Sequence, residues 1–254
     1  MRRGTAVHHR RSLWTERPHR KHPVNSLLLF DFDGTIALGD GPVLAYAQHI
    51  AEALADGDGF VDGIRTLLDA ADGAALDGYD AVRRAAEERG ADAALLSAAY
   101  LASRRQLATA DAPVSAPDGL AVFLADAAPY AERMLVTNAP GIRIADALDV
   151  LGLAGLFDRV VTDARKPAGL DTVLAALPAD TRVLSIGDIW RNDLAPAHAR
   201  GHATALIGGF ADPEARPTYR AATFAELIPQ LECWLHATNL LPSAPTLTPT
   251  PIEG

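Results

Sequence analysis

LLLFDFDGTI, residues 27–36, joins an apolar strand-like run to two acids. Leu27–Phe30 has the length and composition of a buried strand. Asp31 ends it, Asp33 follows two residues later, and Gly34 and Thr35 turn the chain. Two carboxylates delivered together to a strand end repel each other unless something offsets the charge. A divalent cation and phosphate chemistry would do so. Alone, the run also reads as a strand followed by a polar turn, because Asp and Gly are common turn formers.

Three later segments shift the balance. Met134–Val136 is a second apolar strand, ending at Thr137 and Asn138, either of which could simply cap a helix. Lys166 lies in Asp163-Ala164-Arg165-Lys166-Pro167. Only Lys21 and Lys166 are lysines, so a Lys at any chosen position is roughly a 1% event, although a single Lys also reads as a solvated surface charge. Val183–Gly187 is a third strand, ending at Asp188 with Asp193 five residues on. Ligand sites of open parallel sheets lie beyond the carboxyl ends of the strands. Such a sheet would bring together two acids, a hydroxyl, an ammonium and two more acids.

This constellation resembles the haloacid dehalogenase superfamily of hydrolases. Asp31–Thr35 (DFDGT) is similar to its first motif, Thr137-Asn138 to its second, Lys166 to its third, and Gly187-Asp188 through Asn192-Asp193 to its fourth. The resemblance spans about residues 26–235, with the first and fourth motifs the more specific. Ile189-Trp190-Arg191 departs from it, placing bulky residues between the last two acids.

The resemblance implies a phosphoric monoester phosphatase. Asp31 would attack phosphorus and form an aspartyl-phosphate. Asp33 would protonate the leaving oxygen and later deprotonate water. Mg²⁺ would be held by Asp31, Asp33 (through its backbone carbonyl), Asp188 and Asp193. Thr137, Asn138 and Lys166 would bind the phosphoryl oxygens. Dehalogenases of the family usually lack the second Asp, so Asp33 favours phosphate chemistry. Phosphonate cleavage would need a cap Lys, and none is present in residues 40–116. A phosphomutase uses the same core and is the alternative; a non-catalytic binding module is a weaker one.

Length and composition agree. A chain of 254 residues suits one α/β domain with a smaller insertion, and 49% hydrophobic residues can fill a core. No apolar run reaches the ~20 residues of a membrane span. A net charge of −9 argues against nucleic-acid binding. The expected partner is a small phosphorylated metabolite, with no membrane and no nucleic acid. Cys233 is the only cysteine, so no internal disulfide forms, which fits a cytoplasmic location.

The fold class expected is α/β: a doubly wound parallel, Rossmann-like sheet with an inserted all-helical cap. Residues 26–39 and 117–237 would form the core and 40–116 the cap. Cap helices are expected at Pro42–Ala55, Val61–Ala71, Tyr79–Arg89 and Ala91–Ala108. In the core, helix and strand alternate over 118–128, 132–137, 141–151, 158–162, 168–176, 182–187, 192–200, 203–207 and 224–237. Residues 1–25, rich in Arg and His, read as a disordered basic tail, and no apolar segment follows their arginine pairs before Leu27. Residues 238–254 read as a Pro/Thr-rich disordered tail. Substrate specificity is expected from Tyr79, Arg83 and Arg104 in the cap and Trp190 on the core rim. Arg84 and Arg105 neighbour two of these, and adjacent arginines on a helix cannot both point one way. Asp56-Gly57-Asp58-Gly59 does not match a calcium loop, since its twelfth position is Leu67 rather than Glu.

Overall fold

The computed structural model describes residues 25–54, 58–70, 75–208 and 212–237. Residues 1–24 and 238–254 of the predicted tails, with Asp56 and Gly57, lie outside them. Among the described residues, six parallel strands form one sheet in the order β3-β2-β1-β4-β5-β6. They are β1 (Ser26–Phe30), β2 (Glu132–Val136), β3 (Arg159–Val161), β4 (Arg182–Gly187), β5 (Ala203–Ile207) and β6 (Tyr219–Ala221).

β1 sits in the middle of the sheet and all five of its residues are buried. Burial of both faces explains why Leu27–Phe30 is an unbroken apolar run. Leu28 and Phe30 face one layer, packed on α5 (Leu120–Ala127), α6 (Ile144–Val150) and α9 (Phe224–His236). Leu27 and Leu29 face the other, packed on α7 (Ala168–Ala175) and α8 (Ala195–Ala199). Helices on both faces make the sheet doubly wound, as its alternating sequence predicts.

Four helices intervene between β1 and α5: α1 (Gly41–Leu54), α2 (Asp58–Ala70), α3 (Gly78–Glu88) and α4 (Ala93–Gln106). They close a separate apolar cluster of their own around Tyr46, Ile50, Phe60, Ile64 and Val82. This is the predicted all-helical cap, with each helix within a few residues of its expected ends. Asp77 and Asp92 cap α3 and α4 by accepting from Asp80 N and Leu95 N.

Two elements differ from expectation. The helix expected over 192–200 begins as a π-helical turn, Trp190–Leu194, before α8. β6 is an additional edge strand, too short and too exposed for its sequence to announce it. Among the described residues, no helix is long and apolar enough to cross a membrane.

Candidate active site

The sheet register sets the site. Phe30 is level with Leu135 of β2 and Ile186 of β4, so the three strands end side by side. Asp31 N donates to Ile186 O at 3.0 Å and Thr137 N to Val161 O at 2.9 Å, extending the ladder just past the strands. The residues that follow are therefore presented on one rim.

On that rim Asp31, Asp188 and Asp193 are all buried, with one carboxylate oxygen from each within 4.8 Å of the others. Lys166 Nζ donates to Asp31 Oδ1 at 2.5 Å and to Asp193 Oδ1 at 2.6 Å. One ammonium cannot neutralise three carboxylates. Burial, then the charges of Asp31 and Asp193, push Asp188 well above the ordinary carboxylate range. Burial and Asp31 push Asp193 up to about 7, against the pull of Lys166. Lys166 is held above its ordinary value because Asp31 and Asp193 outweigh its own burial. Three hard oxygen donors short of positive charge suit Mg²⁺, which takes oxygen ligands and retains several waters.

Close packing enforces the cluster. Gly34 has φ +81°, and a Cβ there would lie 2.3 Å from Asp188 Oδ2. A Cβ on Gly187 would lie 2.4 Å from Asp193 Cβ. Fully buried Thr35 donates its hydroxyl to Asp188 Oδ1 at 3.2 Å, with Asp31 Oδ2 also in reach at 3.5 Å. Ile189 N donates to Asp193 Oδ2 at 3.0 Å, and Ser185 Oγ to Asp193 O at 2.6 Å. The loop carrying Lys166 has Asp163 and Arg165 in the left-handed region, at φ 52° and 56°. Such conformations cost about 1–3 kcal/mol each and persist only where surroundings hold them.

The cap completes the rim. Arg104, fully buried near the end of α4, donates from Nη1 to Asp33 Oδ1 at 2.8 Å and to the Tyr79 hydroxyl at 3.1 Å. Desolvation raises Asp33 by more than Arg104 lowers it, leaving the carboxyl raised from its ordinary value. Tyr100 lies one turn before Arg104 on α4, and burial pushes its hydroxyl up to about 12.

No family model matches the chain, and no curated protein does. Solved structures do. The HAD-hydrolase YfnB from Bacillus subtilis, bound to magnesium, is 22% identical with a TM-score of 0.56, over 82% of this chain and 98% of that one. A predicted phosphoglycolate phosphatase from Haemophilus somnus is 18% identical with a TM-score of 0.56, over 81% and 97%. The chain has the haloacid dehalogenase (HAD) fold. An L-2-haloacid dehalogenase from Xanthobacter autotrophicus, 19% identical with a TM-score of 0.50 over 83% and 99%, shares it. The HAD fold thus carries more than one reaction, and the site must distinguish them.

Within this HAD fold, Asp31, Lys166, Asp188 and Asp193 come together as the sequence reading expects. The Asp33 carboxylate lies outside the metal-competent trio, turned to Arg104, so its side chain is not one of the clustered ligands. Thr137 is buried and its Oγ accepts from Ala139 N at 3.0 Å, leaving the hydroxyl proton available. The Asn138 side chain serves the lysine loop rather than the rim. Its Oδ1 accepts from Lys166 N at 2.5 Å and its Nδ2 donates to Lys166 O at 3.4 Å.

Of the four residues expected to set specificity, Tyr79 and Arg104 reach the site. Arg83 does not: its guanidinium bonds Asp80 and Glu87 along the same helix, half exposed. Trp190 packs with Leu194, Leu206 and Ala215 and meets the His198 ring at a tilt, centroids 5.2 Å apart. Thr35 and Ser185 are supports that the sequence reading missed. Their only signal was position, Thr35 four residues after Asp31 and Ser185 three before Asp188.

Proposed function

We propose that the protein is a Mg²⁺-dependent phosphomonoester hydrolase working through an aspartyl-phosphate on Asp31. One observation carries the reading. A second acid, Asp33, two residues past Asp31, is held by the cap through Arg104, and burial raises its carboxyl from the ordinary value. A dehalogenation has no leaving oxygen to protonate, whereas an ester does. The magnesium in the YfnB structure and the phosphatase among the similar structures support the choice.

The chain's own groups divide the work. Lys166 holds one oxygen of Asp31, and the Thr35 hydroxyl lies 3.5 Å from the other. An Asp31 oxygen forms a bond to phosphorus as the ester P–O bond breaks, and the leaving alkoxide takes the Asp33 proton. Water then attacks the aspartyl-phosphate while Asp33 recovers a proton, and inorganic phosphate leaves. Lys166 and the Thr137 hydroxyl face the charge spread over the phosphoryl oxygens. Asp31, Asp188 and Asp193 would hold the Mg²⁺, which when bound supplies further neutralisation of those oxygens.

The test is release of p-nitrophenol from p-nitrophenyl phosphate, with and without Mg²⁺, beside halide release from 2-chloropropionate. Mg²⁺-dependent phosphate-ester cleavage is expected, silenced by Asp31→Asn in a protein that still folds, and reversibly by a chelator. Halide release without ester cleavage would assign the site to dehalogenation instead.

A further inference from the structure

Arg104 is used at only one of its ends. Nη1 serves Asp33 and Tyr79, while Nε and Nη2 are buried with no hydrogen-bond partner among the described residues. Buried polar groups without partners are rare, and each calls for a physical reason. The two idle nitrogens are not an arbitrary pair. In a guanidinium, Nε–H and the outward Nη2–H run parallel, forming the edge that meets both oxygens of a carboxylate or phosphate. The single-pronged end is engaged and the two-pronged end is free.

The surroundings suit a ligand anion. The Phe32 ring lies 5.7 Å from the guanidinium carbon. Tyr46, Tyr79 and Tyr100 contact one another at centroid distances of 5.5–6.1 Å, forming an aromatic wall from three cap helices. Of the acids on the cap side, Asp77 is committed to capping α3 through Asp80 N. Charge in this low-dielectric setting attracts an anion more strongly than at a solvated surface.

Resting on the phosphatase reading, we propose that Arg104 receives a carboxylate carried by the leaving group, so that the substrate is the phosphate ester of a short hydroxy acid. Lys166 already serves the phosphoryl end. Arg104 instead touches the acid that protonates the ester oxygen. With Nη1 2.8 Å from the Asp33 oxygen, the guanidinium is one side chain removed from the ester oxygen, and a carboxylate one or two carbon atoms along the leaving group is the anion it could meet. A longer leaving group would carry its anion past the guanidinium.

The experiment compares kcat/KM for 2-phosphoglycolate and ethyl phosphate, which have the same chain length with and without the carboxylate, in wild type and in Arg104→Lys. Wild type is expected to prefer the acid by about 100-fold or more, because a site built for a polar group rejects the analogue lacking it. Lys keeps the charge but not the two-pronged edge, and the preference is expected to fall at least tenfold. The ratio cancels whatever the substitution does to Asp33. Equal or better turnover of ethyl phosphate by wild type, or an unchanged ratio in Arg104→Lys, overturns the proposal. If Arg104→Lys does not fold, the wild-type ratio still decides. If wild type cleaves neither ester, the phosphatase reading fails and calorimetric binding of the two esters judges Arg104 separately. Tighter binding of the acid then supports it and equal or weaker binding overturns it.

Discussion

Magnesium should stabilise this protein much more at pH 8 than at pH 5.5. In the metal-free fold Asp193 is raised from 3.8 to about 7, chiefly by burial and by Asp31. A carboxylate raised in this way favours folding at low pH. Its contribution is present in full below about 3.8 and is lost as pH rises through about 7. With 1.36 kcal/mol per pKa unit, the loss is at most about 4 kcal/mol. Above pH 7 the ionised Asp193 is therefore a weak point of the metal-free fold and a ready ligand for the metal-bound one. At 100 times its dissociation constant, Mg²⁺ adds about 2.7 kcal/mol, or about 5–11 °C in Tm for a chain of this size. At pH 5.5 a proton must first leave Asp193, about 1.5 units below its pKa. Affinity then falls about 30-fold, and the same Mg²⁺ concentration adds only about 0.8 kcal/mol, or about 2–3 °C. Differential scanning calorimetry at both pH values, with NaCl matched for ionic strength, measures the two shifts. Equal shifts, or a larger one at pH 5.5, would show that Asp193 is not ionised on binding the ion and would refute the charge reasoning.

Three further outcomes follow from contacts at or near the site. Asn138→Ala should raise KM for an aryl phosphate about tenfold with little change in Tm, since about 1.4 kcal/mol of lost positioning is a factor of ten; steady-state kinetics and a melting curve check it. Gly34→Ala should fold but need at least ten times more Mg²⁺ for half-maximal activity, because its Cβ would press on Asp188 Oδ2 at 2.3 Å from a left-handed backbone. Arg133→Ala should leave the chemistry intact but lose about 3–5 kcal/mol in urea unfolding, since buried Arg133 bonds both Asp158 oxygens at 2.9 Å and Leu124 O at 2.9 Å.

Much of this was legible because the parallel sheet forces its strands to be apolar and its ligands to follow them. Leu27–Phe30, Met134–Val136 and Val183–Ile186 each announce a buried strand, and each is followed by a residue on the rim. The acids stand out because a carboxylate at the end of such a run needs a reason. What stayed hidden depends on packing. Arg83 and Arg104 look alike in the chain in that each stands beside another arginine on a cap helix. Asp80 and Glu87 at i−3 and i+4 hold Arg83 on its own helix, while Arg104 comes one turn after Tyr100 on the face turned to Asp33. Thr35 reads as a turn residue, because its bond to Asp188 joins positions 153 apart. Trp190 was ambiguous for a similar reason: whether a bulky residue rims a site or fills a gap is set by the strand beside it, here β5 through Leu206.

β1 and β4 lie side by side in the sheet, yet more than 150 residues of chain separate Asp31 from Asp188. During synthesis, β1, the cap, β2, β3 and Lys166 all leave the ribosome before the second pair of acids. The first half of the sheet can therefore form with Asp31 already matched to a single ammonium. When β4 docks, it brings Asp188 and Asp193 against that neutral pair, where each must either take up a proton or add uncompensated charge inside the protein. The docking of β4, on which β5 and β6 then build, is thus opposed by charge in proportion to how scarce the counter-ion is. An excess of free divalent cation should speed it without touching any earlier step.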